Sequence, residues 1–252
     1  MLRKFVTEGR DLEMEKPERL LPIDAAHKFV DTYFPDCGAA LLAGSTVRGE
    51  ATATSDLDIV IFDSGLPTAY WESMIEHGWS IEIFVHNEVS YREFFEKDRE
   101  RARPSLPRMI SEGVQLKDNG ILAEIKKESV QLLERGPEKW SAETIDMKRY
   151  FITDTLHDFI GCEVRAEGLF IANALADLLS EFFLRTNRQW IGTSKWIVRA
   201  LKNYNADVAD AFDSAFDSYY RSDDKSKVIR LADEILDPHG GRLFAGFSIG
   251  KN

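Results

Sequence analysis

The stretch Ala39-Ala40-Leu41-Leu42-Ala43-Gly44-Ser45, followed after a polar loop by Ser55-Asp56-Leu57-Asp58-Ile59-Val60-Ile61-Phe62, decides how the chain reads. Ala39 to Ala43 is a short apolar run that ends at a glycine, the mark of a buried strand. Leu57 to Phe62 is β-branched and aromatic, a second strand that opens directly from the loop. Gly44 lets the backbone turn tightly and approach a ligand closely. The backbone N–H groups that follow it, with the Ser45 hydroxyl, suit phosphate oxygens as a nest. Asp56 and Asp58 stand two apart at the start of a strand, so both side chains project from one face. Two carboxylates on one face can share hard cations, which prefer oxygen ligands. A pair of such ions stabilises both the attacking and the leaving oxygen of a phosphoryl-type displacement. Gly-Ser and Asp-x-Asp are each common alone; the information lies in the order strand, Gly-Ser, eleven positions, Asp-x-Asp, strand.

Outward from this stretch, Trp79 to Val85 reads as a third strand and Val114 to Lys117, after Gly113, as a fourth. The third holds Glu82 within Ile81-Glu82-Ile83-Phe84-Val85, where an acid either faces solvent or needs a partner. Pro22 to Tyr33 has Ile23, Ala26, Phe29 and Val30 along one helical face, and further helices are expected around Thr68 to Glu76 and Val89 to Arg101. Strands alternating with helices predict a sheet covered by helices. After Gly120 the texture changes. Ile121 to Glu134 is a helix that stops at Gly136-Pro137. From Thr144 onward no strand pattern occurs. Helical spacing runs through Ile152, Leu156 and Phe159, then through Leu169, Ala172, Leu175, Leu179 and Phe182. Helices near Thr193–Tyr204, Ala206–Tyr220 and Asp224–Leu236 follow, with short connections that favour an antiparallel bundle, and Asp237 to Arg242 is a loop. The expected fold class is α+β, with a sheet domain over residues 1–136 and a helical-bundle domain over 137–252.

The Gly44-Ser45 to Asp56-x-Asp58 pattern resembles the diagnostic motif of the DNA polymerase beta nucleotidyltransferase superfamily. Within it the two-domain layout resembles the aminoglycoside nucleotidyltransferases, which join a catalytic domain to a helical bundle. The resemblance implies a twisted mixed sheet and two Mg2+ ions held by Asp56 and Asp58. It places Ser45 on the terminal phosphates and makes Glu82 the third carboxylate, either ligand or base. Arg188-Gln189-Trp190-Ile191-Gly192-Thr193-Ser194-Lys195-Trp196 resembles the bundle segment that sets a lysine on the triphosphate. Lys195 would stand in the first turn of a helix, whose N-terminus favours anions, with Thr193 or Ser194 as cap. The same segment reads equally well as a capped helix with Trp190 and Trp196 in the core and Lys195 in water. Arg48 is a candidate for neutralising phosphate charge or a solvated loop arginine. Asp154 and Asp158 share a helix face and are either acceptor-side bases or part of a solvated surface.

The expected reaction is in-line attack of an acceptor hydroxyl on the α-phosphorus of ATP, or another nucleoside triphosphate, with pyrophosphate leaving. The acceptor expected from the resemblance is a small hydroxylated molecule, an aminoglycoside-like antibiotic, bound between the domains. Two alternatives stand beside it: a protein side chain as acceptor, as in antitoxin-like nucleotidyltransferases, and a non-catalytic nucleotide-binding protein on the same scaffold. The bulk properties narrow these classes. The 252 residues carry a formal charge of −11, which counts against a large nucleic-acid footprint yet allows a small basic patch and suits a cationic substrate. Cys37 and Cys162 are too few for a disulfide framework or a zinc site. Met1-Leu2-Arg3-Lys4-Phe5 leads into polar sequence rather than a signal core, and Asn173 and Asp177 interrupt the most apolar run. No membrane span is expected, and a cytoplasmic location is.

Overall fold

The computed structural model describes residues 19–250, so the N-terminal segment Met1 to Phe5 lies outside the described residues. The chain is α+β. In order, it forms α1 (Pro22–Tyr33), β1 (Ala39–Ala43), β2 (Leu57–Phe62), β3 (Tyr70–Glu76), β4 (Trp79–His86), α2 (Ser90–Glu100), α3 (Ser105–Glu112), β5 (Val114–Asp118) and α4 (Leu122–Arg135). Only helices follow among the described residues: α5 (Ala142–Gly161), α6 (Arg165–Thr186), α7 (Lys195–Tyr204), α8 (Ala206–Ser222) and α9 (Ser226–Leu236), which ends in a short 3-10 turn, Asp237–His239.

The five strands form one sheet in the order β3-β4-β2-β1-β5. β2 and β4 run parallel, and the other pairs are antiparallel, so the sheet is mixed. Its pleat separates two faces. Leu57, Ile59 and Ile61 of β2, with Ile81, Ile83 and Val85 of β4, point to one side. They meet Ala25, Ala26, Phe29 and Val30 of α1 in a single buried cluster. Pro22 opens α1 at a position where its missing N–H leaves no bond unmade. The alternate residues, Asp58 and Glu82 among them, are thereby sent to the other face.

Two elements depart from the expectations. The segment expected to be helical around Thr68–Glu76 is the edge strand β3, paired with β4 from Tyr70↔Val85 to Glu76↔Trp79. The reversal between them is His77-Gly78, with φ of 53° and 80°, the double left-handed turn that matches the twist of a hairpin. α3 falls where no element was expected. Asp98 Oδ2 accepts the Leu106 amide at 2.9 Å, which satisfies one orphan donor of its first turn. Pro107 sits in that same turn, where a missing N–H costs no intrahelical bond.

The chain divides into two compact units, one holding the residues up to Arg92 with Arg108–Ser129, the other Glu93–Pro107 with the residues from Val130 on. The second is built round Ile152, Leu156, Phe159, Leu175, Leu179, Phe182, Tyr219 and Leu231. Ser141 caps α5 by accepting the Thr144 amide, and Asn205 caps α8 by accepting that of Val208. Beyond α9, Arg149 donates to the carbonyls of Gly240 and Gly241 and so ties the following loop to α5. No helix among the described residues is long and apolar enough to cross a membrane.

Candidate active site

The parallel pairing of β2 and β4 sets Asp58 beside Glu82 in register, with both side chains off the core face. Asp56, two residues before Asp58, joins them from the approach to β2. One carboxylate oxygen from each of Asp56, Asp58 and Glu82 lies within 4.8 Å of the others, and all three residues are part-buried. Burial raises the pKa of Glu82 above its ordinary value, and the negative charge of Asp56 adds to that rise. No member of this donor set is soft or nitrogenous, and three carboxylate oxygens so close together fit a hard divalent cation.

The loop that leaves β1 is pressed against this cluster. Gly44 has φ of +79°, and a Cβ built on it would stand 1.8 Å from Asp58 Oδ2. The backbone conformation thus disfavours a side chain there, and the Asp58 carboxylate where it stands leaves no room for one. Ser45 follows, its Oγ donating to Ser55 Oγ at 3.1 Å, while Ser55 Oγ accepts the Thr52 amide at 2.8 Å. The Glu50 amide donates to the Ser45 carbonyl at 3.0 Å, closing the turn. The far end of the loop is pinned by Arg19. Its guanidinium donates to the carbonyls of Ala53 and Ser55 and lies 3.3 Å from the centre of the Trp79 ring. Nothing in the sequence marks Arg19 for this task, since its partners are backbone oxygens.

Arg48 lies in the same loop and pairs with Glu50 and with Glu112, each at 3.2 Å. Arg108 approaches the same Glu112 at 3.8 Å, and burial lowers its pKa. The structure therefore brings Gly44, Ser45, Asp56, Asp58 and Glu82 together in the first unit, with Arg48 held by acids in that unit. Lys195, Asp154 and Asp158 belong to the second unit. Lys195 is the first residue of α7; Ser194 precedes it with φ of 52° and makes no side-chain cap bond. The Thr193 carbonyl accepts the Trp196 amide, so backbone rather than hydroxyl groups organise this helix start. Asp154 and Asp158 are exposed on α5, one turn apart.

No family model matches the sequence, and no curated protein does. Among solved structures, the chain is similar to a nucleotidyltransferase-like protein from Exiguobacterium sibiricum 255-15, at 12% identity, over 86% of this chain and 73% of that one, with a TM-score of 0.45. The likeness is too distant to assign an activity, which rests on the residues themselves.

Proposed function

We propose that the protein is a Mg2+-dependent nucleotidyltransferase that moves a nucleoside monophosphate, AMP from ATP, onto a hydroxyl of a small molecule. The observation that carries this reading is the convergence of Asp56, Asp58 and Glu82 on the rim of a Gly-Ser turn. Holding three carboxylates together unneutralised costs free energy, which a bound divalent cation would offset.

Asp56, Asp58 and Glu82 would hold the divalent ions, which when bound supply charge neutralisation and polarise the phosphoryl oxygens. The chain's own groups do the rest. Ser45 orients the leaving phosphates through its hydroxyl, which can exchange its bond with Ser55 for one to a phosphate oxygen. The amides after Gly44 line the same turn, close to Asp58 because Gly44 carries no side chain. Glu82, in register with Asp58 on the neighbouring strand, would serve either as the third ligand or as the base that takes the proton of the attacking hydroxyl. Little covalent work is asked of the protein; positioning and electrostatics dominate. The formal charge of −11 suits a cationic acceptor, in keeping with an aminoglycoside-like molecule.

The test is pyrophosphate release from ATP with magnesium and a panel of hydroxylated amino sugars, wild type against Asp58→Asn. The variant keeps shape and removes one negative charge, and its rate should fall by about a hundredfold or more. Affinity for magnesium-ATP should fall far less, because the turn amides and Ser45 remain. Equal rates would sink the proposed mechanism.

A further inference from the structure

The same face of the sheet carries a feature that the reaction as described leaves unused. In the β3–β4 register, Ser73 stands opposite Glu82 and Trp71 opposite Phe84. Trp71, Phe84 and Glu82 therefore project from one face, the one that bears Asp58. The rings of Trp71 and Phe84 lie nearly parallel, 11° apart, with centroids at 6.4 Å. Trp71 is nevertheless 63% exposed, and Ile75, on the same face of the same edge strand, is 78% exposed. On the opposite face Met74 packs against the core, so β3 is not a strand with both sides in water. A parallel aromatic pair whose outer ring stays wet offers an apolar face on which a planar partner can stack.

We infer that Trp71, backed by Phe84, is the stacking platform for the acceptor, and that the acceptor is a ring-bearing hydroxylated molecule with an apolar ring face. This rests on the nucleotidyl-transfer reading, and the position of the pair says why. Across the sheet the order is Gly44-Ser45 at the end of β1, then Asp58 on β2, Glu82 on β4 and Trp71 on β3. Displacement at phosphorus is in line, so nucleophile and leaving group stand on opposite sides of the centre attacked. If the turn at Gly44 receives the leaving phosphates on the β1 side, the attacking hydroxyl approaches from the β3 side. Trp71 also stands two residues beyond the Glu82 level, away from the end of β2 where the Gly44 turn lies. A line from that turn across the carboxylates thus ends at the aromatic pair. A sugar ring stacked on Trp71 by its C–H face would leave the hydroxyls at its rim free, and one of them could extend past Ser73, which pairs with Glu82, toward the carboxylates.

The experiment uses the full chain loaded with magnesium and an ATP analogue whose α–β bridge cannot be cleaved. Kanamycin and methyl glucoside serve as ring-bearing probes and sorbitol as an acyclic one, with binding followed by calorimetry. Wild type should bind a ring-bearing probe and discriminate against sorbitol. Trp71→Ala should weaken that binding by about tenfold while nucleotide affinity stays within about twofold. Trp71→Phe should recover most of the loss and Trp71→Leu little of it, a split that loss of bulk alone does not explain. Unchanged probe affinity in Trp71→Ala overturns the platform. So does failure of wild type to bind any ring-bearing probe while it binds magnesium-nucleotide, an outcome that leaves the transfer reading standing. Failure of wild type to bind the nucleotide at all overturns the transfer reading, and the platform falls with it. A shift in sedimentation from dimer to monomer on Trp71→Ala would assign the wall to a second copy of the chain and overturn it as an acceptor site.

Discussion

Glu82 in the sheet unit and Asp98 in the helical unit are both acids whose burial raises the pKa, yet their surroundings are opposite. Asp98 is 1% exposed, and its carboxylate accepts the Leu106 amide and pairs with Arg101, each of which pulls its pKa back down. Glu82 has Asp56 as its charged neighbour, which pushes the pKa further up. One acid is embedded in donors and holds a helix start in place. The other is set against like charge, an arrangement that folding alone gives no reason to keep. The contrast teaches that the direction of a shift says little by itself; the sign of the neighbouring charges is what separates the two acids.

The severest way to break the contrast is at Gly44. Gly44→Ala should remove transfer almost as fully as Asp58→Asn, because the new methyl and the Asp58 carboxylate claim the same space. The positive φ adds a strain of about 1–3 kcal/mol. Pyrophosphate release and thermal unfolding measured on the same variant would check both effects; full activity would show that Asp58 can retreat without cost.

The two acids themselves should respond with opposite signs. Asp98→Ala leaves the Leu106 amide without its acceptor and should destabilise the protein by about 1–3 kcal/mol. Glu82→Gln removes a charge that the fold resists and should raise the melting temperature of the metal-free protein by roughly 2 °C at pH 7–8. The pH dependence follows from the raised pKa of Glu82. Its protonated form favours the fold, so that stability is lost as pH rises through the folded pKa. The advantage of Gln is therefore full above that pKa and vanishes in acid, below the unfolded pKa of about 4.3. Melting curves across that range decide it, and a Glu82→Gln protein less stable than wild type at neutral pH would contradict the crowding argument.

Much of this was legible in the sequence because the chemistry is local in the chain. Gly44, Asp56 and Asp58 lie at facing ends of two adjacent strands, and Glu82 stood out as an acid in an apolar run. The α+β class and the helical character of the chain beyond Thr144 were legible for the same reason, since each helix repeats its own apolar spacing. β3 was not. With Trp71 and Ile75 exposed on one side and Glu72 on the other, an edge strand lacks the clean alternation that burial imposes. Its real signal was the His77-Gly78 turn. α3 was hidden because its first turn depends on Asp98, a residue of another helix. Arg19 and Trp71 escaped because their meaning comes from partners distant in sequence.

The smallest expected effect concerns the helical unit. If that unit contributes to nucleotide binding through Lys195, then Lys195→Ala should weaken magnesium-ATP affinity by about threefold to tenfold, a loss of roughly 1 kcal/mol at a helix N-terminus. Stability should hardly change, because the position begins a helix rather than filling a core. Calorimetric titration of the variant checks this. Unchanged affinity would confine nucleotide recognition to the sheet unit and make the comparison between the two units sharper.

The hairpin at His77-Gly78 has a further consequence for what lengths of chain this molecule tolerates. Glu82 lies four residues after Gly78, and a strand shifted by one residue turns every side chain to the opposite face. One residue inserted in the turn would leave β3 and β4 out of step, and the misfit would have to be absorbed by one of them. If β4 yields, the third carboxylate of the site is delivered into the hydrocarbon packed under α1, and Ile81 or Ile83 takes its place among the aspartates. The run from Asp63 to Ala69 sets no register; it is held at Leu66, which packs on the core and accepts a hydrogen bond from Asn87 Nδ2 at its carbonyl, and is free in length beyond it. Of the two connections on this side of the sheet, the longer can change length after Leu66, while the shorter is fixed to the residue.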